Sequence, residues 1–323
     1  MGGNASKWPA GVLPANVTRL TNALIRGGHI EAGTTSATTV TEAVSRQVYR
    51  LLRYSHDLTA FPGCGGHTAA AAQPPTPPFR LTRSASTVIG DGIFAVGAIA
   101  PGTAVAFYPG LCYPAPPGPH IDAMPIPAWH GTLKPWEAND KVFARHDGSK
   151  VDGLAWELRH CKHDGADSDC ATTSITSLME GTFPHTDSAP FLDLGMCKNP
   201  YAVGNIMNHP TAEEYPNVMA WCVDIDAAAV TAKLGIERAL LPYATHPNWY
   251  YSTESNALIP TPGDYPVGAV VMVSTRWIRT GDELLFDYGL GEESARMLEW
   301  YCKRDVEADI EDEERTGGLP VEN

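Results

Sequence analysis

The sequence predicts an α+β protein, mainly β, in which a helical N-terminal region precedes a body of short strands. Three observations lead there. Apolar residues recur at helical spacing in 15–27 and 39–55. From about residue 80 the pattern changes to short apolar runs broken by glycine and proline. No alternation of strand and helix, as a parallel sheet would need, is visible.

In the second N-terminal helix Val40, Val44, Val48, Leu51 and Leu52 form one stripe, read as a packing face. Thr39, with Glu42 three residues later, is expected to box its start. These helices make a region 1–60. Residues 61–79 hold Pro-Gly-Cys-Gly-Gly, an alanine run and Gln-Pro-Pro-Thr-Pro-Pro, a linker composition. The main domain is expected over 80–302, with strands at Gly92–Val96, Ala104–Tyr108, Asn217–Val223 and Val267–Val273. Proline-crowded residues 111–135 and polar residues 155–200 read as long surface insertions. A last helix is expected over 292–304, burying Met297, Leu298 and Tyr301. The segment 303–323 carries three basic and eight acidic side chains and is expected to be a disordered tail.

Apolar residues make up 43% and charged residues 19%, enough to bury a core, and no apolar run approaches the length of a membrane span. Seven scattered cysteines and no apolar leader predict reduced thiols in an intracellular, cytoplasmic protein, with the nucleus left open. The net charge is −14, yet residues 1–80 hold seven basic and three acidic side chains, a balance of +4 that leaves −18 for the rest. An acidic body argues against direct nucleic-acid binding, which needs basic patches. It suits a basic protein substrate; plain solubility explains the charge equally well. Met-Gly-Gly-Asn-Ala-Ser-Lys at the start fits N-myristoylation at Gly2, with peripheral membrane contact through the acyl chain. Such short patterns also recur by chance.

Three separated segments carry the chemistry. The first runs Gly90-Asp91-Gly92-Ile93-Phe94-Ala95 and on to Gly102-Thr103 and Tyr108-Pro109-Gly110. The second is Gly204-Asn205-Ile206-Met207-Asn208-His209-Pro210, with Pro216-Asn217 after it. The third is Gly281-Asp282-Glu283-Leu284-Leu285-Phe286-Asp287-Tyr288. Each alone is weak: the Gly-x-Gly lacks the helix that a dinucleotide site requires, and the others read as a polar turn and a strand end. In this order and spacing they resemble the signature segments of the SET-domain methyltransferase family, over about 83–290. Asn199-Pro200-Tyr201-Ala202-Val203-Gly204, the run 268–279 and Tyr250-Tyr251 are similar to one subfamily with helices ahead of its SET part.

The resemblance implies a SET fold, with small sheets and a knot-like crossing of the second and third segments. It implies S-adenosylmethionine as methyl donor and a protein side-chain nitrogen, lysine first, as acceptor. Gly90, Asp91 and Gly92 would lie along the methionine part of the cofactor, because glycine lets backbone come close. Asn208 and His209 would hold its amino group and adenine edge. Tyr288 would stand beside the transferring methyl, and Tyr108 would line the lysine channel. Such a transfer is an in-line displacement that needs alignment and a neutral amine, and no metal. Pro210 and Thr211 stand where the family often has serine and cysteine, which keeps a weakly active or inactive SET-fold scaffold as the alternative. Only Cys302 follows the third segment, so no zinc cluster is expected there, and Trp300 or Tyr301 could cover the adenine or simply pack. His160, Cys161, His163 and Cys170 are too loosely spaced for zinc, and Cys64 with His67 reads as linker.

Overall fold

The computed structural model describes residues 14–59, 78–109, 111–113, 142–145, 150–153, 201–234, 249–252, 257–260, 267–289 and 301–317. It is a mixture of helices and small sheets, the antiparallel ones of two or three strands, an α+β architecture. The chain divides into two compact units: 1–106 with 206–223 and 271–323, and 107–205 with 224–270. Gly2, the linker up to residue 77, and the segments 114–141 and 154–200 lie outside the described residues.

The first unit opens with α1 (Pro14–Arg26) and α2 (Ala37–Thr59). On α1, Leu20, Ala23 and Leu24 are fully buried, the i, i+3, i+4 set of one helix face, and Arg19 shares that face. The stripe foreseen on α2 is also buried, from Val40 to Leu52. Its start differs from expectation. The helix begins at Ala37 and the Val40 N–H donates to the Ser36 carbonyl at 3.1 Å, so Thr39 sits inside the first turn. Helix α1 ends in a Schellman motif: the His29 N–H donates to Leu24 O at 2.8 Å and the Gly28 N–H to Ile25 O at 2.9 Å. Gly28 takes φ +70°, which favours glycine.

Gly27 is needed for a different reason. A Cβ there would lie 1.9 Å from the Pro101 carbonyl oxygen, a backbone atom with nowhere to go. Gly27→Ala is therefore expected to destabilise the fold by about 3 kcal/mol, the upper range for overpacking. Urea unfolding checks this; a loss under half that value would mean the turn yields.

Strands β1 (Arg80–Ala85) and β2 (Asp91–Val96) form an antiparallel hairpin, Ser84 opposite Gly92 and Ala85 opposite Asp91. β3 (Ala104–Phe107), β7 (Val218–Ile225) and β10 (Val267–Ser274) form a three-stranded sheet with β10 in the middle. Within the first unit its residues Val105, Val218, Val271, Met272 and Val273 are almost fully buried. In the second unit β4 (Leu111–Tyr113), β6 (Lys150–Asp152) and β5 (Val142–Ala144) make one antiparallel sheet with β6 central, and β8 (Trp249–Ser252) pairs β9 (Ala257–Pro260). That unit also holds α3 (Ala227–Leu234). Residues 111–113, expected at the start of an insertion, are thus strand.

The C-terminal expectation is corrected more deeply. Residues 303–317 are not a disordered tail: Val306–Arg315 is helix α4, capped by Asp305, whose carboxylate accepts from the Glu307 and Ala308 N–H groups. Its acidic residues are not self-repelling, because Arg19 and Arg276 from distant segments and Arg304 from just before the helix neutralise them in the interior. Residues 301–305 are not helical, so the helix foreseen over 292–304 does not include Tyr301; 290–300 are outside the described residues. Among the described residues no helix is long and apolar enough to cross a membrane.

Candidate functional site

The site lies within the first unit and grows from one short stretch, Glu283–Tyr288. Its backbone is bonded on several sides. Leu284 N–H donates to Ile93 O at 2.7 Å, joining it to β2. Phe286 N–H donates to Asn208 O at 3.0 Å, and Leu285 O accepts from Asn217 and Val218 N–H groups at 3.0 and 3.1 Å. The stretch is therefore tied to both ends of the loop 208–218. Asn217 completes the tie, its Oδ1 accepting from Leu285 N–H at 2.9 Å and its Nδ2 donating to Glu283 O at 2.7 Å. These bonds explain how residues eighty positions apart in sequence meet.

Asn208 is buried, and its amide nitrogen faces three acceptors: Ile89 O at 3.1 Å, Asp91 O at 3.2 Å and Glu283 Oε1 at 2.8 Å. Only a donor satisfies two carbonyls and a carboxylate, so the orientation of the amide follows from its neighbours. The side-chain oxygen, an acceptor, is thereby pointed away from them. Glu283 holds this arrangement from the other side, its second oxygen accepting from the Ser86 hydroxyl at 2.8 Å.

The Gly-x-Gly segment is brought to Asn208. Gly90 takes φ +54° with open space where a Cβ would be. Gly92 is buried, and a Cβ on it would stand 2.0 Å from Glu283 Oε1. The close neighbour that demands glycine at 92 is thus a protein carboxylate. Asp91 is exposed and pairs with Arg83 at 2.7 Å.

His209 is buried between the second and third segments and residues 301–302. Its Nε2 lies 2.7 Å from the Cys302 carbonyl, which only accepts, so Nε2 carries the hydrogen. Its Nδ1 then accepts the Tyr288 N–H at 3.4 Å, with Asp287 Oδ1 3.6 Å away. Burial pushes the imidazole below its ordinary value, and the Cys302 carbonyl and Asp287 only partly offset this. The ring is therefore neutral near pH 7. A depressed histidine contributes stability that is full above the unfolded value of 6.5 and is lost as pH falls through the folded value. Wild type is accordingly expected to lose its advantage over His209→Gln on acidification below about pH 6.5. Parallel thermal melts from pH 5 to 8 check this; a constant difference would contradict it.

Tyr288 packs 5.4 Å from the His209 ring and 4.8 Å from Phe286, and its hydroxyl donates to Met207 O at 2.9 Å. With its hydrogen so committed, the phenol oxygen faces any further partner as an acceptor. Tyr301 stacks on His209 at 4.3 Å and 24°, its hydroxyl 3.3 Å from Asp287 Oδ1. Tyr108 belongs to the second unit, where it is buried, packs 5.5 Å from Phe143 and donates its N–H to Val270 O at 2.8 Å.

Gly90, Asp91, Gly92, Asn208, His209 and Tyr288 are thus gathered in one place. Three partners there escaped the sequence reading. Glu283 carries no distinct signal in sequence, because a carboxylate after Gly281-Asp282 looks like part of a turn, as Asp282 is, accepting the Arg279 N–H at 2.6 Å. Ser86 and the Cys302 carbonyl carry no sequence signal. The chain matches no protein-family model, and no curated protein matches it.

Proposed function

We propose that this chain is a SET-domain methyltransferase that moves a methyl group from S-adenosylmethionine to a lysine nitrogen of a basic protein. The observation that carries this reading is the meeting of Asn208, His209 and Tyr288 with the Gly90–Gly92 turn around the stretch 283–288. The bonding of that stretch to both ends of the loop 208–218 supports the knot-like crossing of a SET fold. The runs 199–204 and 268–279 further resemble SET domain-containing protein 9.

The residues suit the cofactor. Its amino group is a donor, and Asn208, whose nitrogen is spent on protein acceptors, turns an oxygen acceptor to other partners. Glu283 and Asp287 supply negative charge around a cationic ligand. S-adenosylmethionine supplies an electrophilic methyl group when bound. Tyr288, held by Met207 O, presents its phenol oxygen as an acceptor that can position a neutral amine or steady a methyl through weak C–H···O contact. Neutral His209 adds no repulsion to a cationic partner. Tyr108 as a wall of the lysine channel rests on the sequence resemblance. Gly2 is proposed as a myristoylation site; an unmodified intact mass from the native cell would remove it.

Calorimetry with S-adenosylhomocysteine, and transfer of labelled methyl to a proteome extract, test the reading. Micromolar binding and label on protein are expected. A folded chain that neither binds nor labels would instead favour a SET-fold scaffold, the second reading, for which Pro210 and Thr211 speak.

A further inference from the structure

Helix α4 is held by charges buried inside the first unit. Glu313, with 1% of its side chain exposed, accepts from Arg19 at 2.7 Å and from Arg26 at 3.2 Å, both on α1. Arg276, just after β10, donates to Asp312 at 2.7 Å, and Asp312 also meets Arg315. Burial works against the Asp312 charge, yet Arg276 and Arg315 hold its carboxyl below the ordinary range. Arg304 pairs with Asp309 at 2.7 Å, and the Tyr215 ring lies under both Arg276 and Arg304, at 4.8 and 4.9 Å.

Arg19 reaches further. Its Nη2 also donates to Pro216 O at 3.1 Å and lies 3.4 Å from the Thr275 hydroxyl. One α1 side chain therefore fastens α4, the loop 208–218 and the end of β10 at once. Only residues 303–305 separate α4 from Tyr301 and Cys302, the two residues that stack on and bond to His209.

We infer that α1, through Arg19 and Arg26, is the positioning element that seats the C-terminal segment on His209, so that the candidate site is complete only while the N-terminal helix is docked. The contacts reach across nearly the whole sequence, from 19 to 313, and add to the local pairs Arg304–Asp309 and Arg315–Asp312. Removing one member of such a cluster leaves its buried partners uncompensated, which weakens docking more than the loss of one hydrogen bond. The consequence for the site rests on the methyltransferase reading; the seating itself does not.

The test uses the full chain, with maleimide alkylation of Cys302 and hydrogen exchange both followed peptide by peptide. In Glu313→Gln, amide exchange over 301–317 is expected to rise roughly 100-fold, and alkylation of the half-buried Cys302 to rise with it. Exchange at 40–52 and 271–273 stays at wild-type levels. Arg26→Gln, which leaves Arg19 on Glu313, gives a smaller rise in the same segment and decides the matter alone if the first variant fails to fold. Both variants are expected to lose affinity for S-adenosylhomocysteine. Unchanged Cys302 protection, or exchange that rises equally over 40–52, would overturn the seat. An opened Cys302 with unchanged affinity would overturn its link to the site. If wild type binds no S-adenosylhomocysteine, the methyltransferase reading is at fault, and the alkylation pattern still decides the seating.

Discussion

Asn208→Asp is expected to destabilise the protein by about 3 kcal/mol at pH 7, although it changes one atom type and almost no volume. The amide nitrogen at 208 faces two carbonyls and the Glu283 carboxylate at 2.8–3.2 Å. An oxygen in its place sets acceptor against acceptor and adds a second negative charge beside Glu283 in a buried position. Two carboxylates so placed cannot both ionise cheaply, so one is expected to hold a proton well above the usual carboxylate range. That gives the variant a signature. Its deficit shrinks as pH falls and the pair takes up a proton, whereas simple loss of a contact is insensitive to pH. Denaturant unfolding at pH 5 and 7.5 measures both effects. Wild-type stability at pH 7.5 would mean that the amide does not face these acceptors.

On the proposed methyltransferase reading, Tyr288→Phe is expected to lower methyl transfer about 100-fold, the usual scale for losing one preorganised polar contact to the reacting atoms. The ring stays in place, since Phe286 and His209 pack on its faces at 4.8 and 5.4 Å. What disappears is the phenol oxygen, together with a hydrogen bond to Met207 O whose loss costs about 1 kcal/mol of stability. The effect therefore falls on turnover, while S-adenosylhomocysteine affinity and the melting temperature change little. Transfer rates with labelled cofactor, beside calorimetry, separate these quantities. Transfer within twofold of wild type would remove Tyr288 from the reaction.

Much of the framework is legible in the chain. The stripe Val40 to Leu52 and the runs at 92–96, 104–108 and 217–223 lie in a helix and strands with nearly the expected bounds, because periodicity and β-branched content are local signals. The two ends of α2 and the helix α4 were not legible. Thr39 looks like a cap yet sits inside the first turn, and the acidic run 305–314 looks like a solvated tail unless one knows that Arg19 and Arg276 wait for it. For the site, order and spacing of motifs bring forward residues 90–92, 208, 209 and 288, and aromatic character brings forward Tyr301, while Glu283, Ser86 and the Cys302 carbonyl carry no such signal.

By itself, then, the amino-acid order dictates the body of α2, the strands near 92, 104 and 217, and which polar residues stand beside glycines and aromatics in positions suited to chemistry. Folding in three dimensions alone selects which buried charge meets which. Glu283 becomes the partner of Asn208, Glu313 of Arg19, and Tyr301 the cover of His209. The physical reason is range. Backbone preference and amphipathic period act over a few residues, whereas a desolvated charge or amide takes whatever complementary group the fold delivers, however distant in sequence.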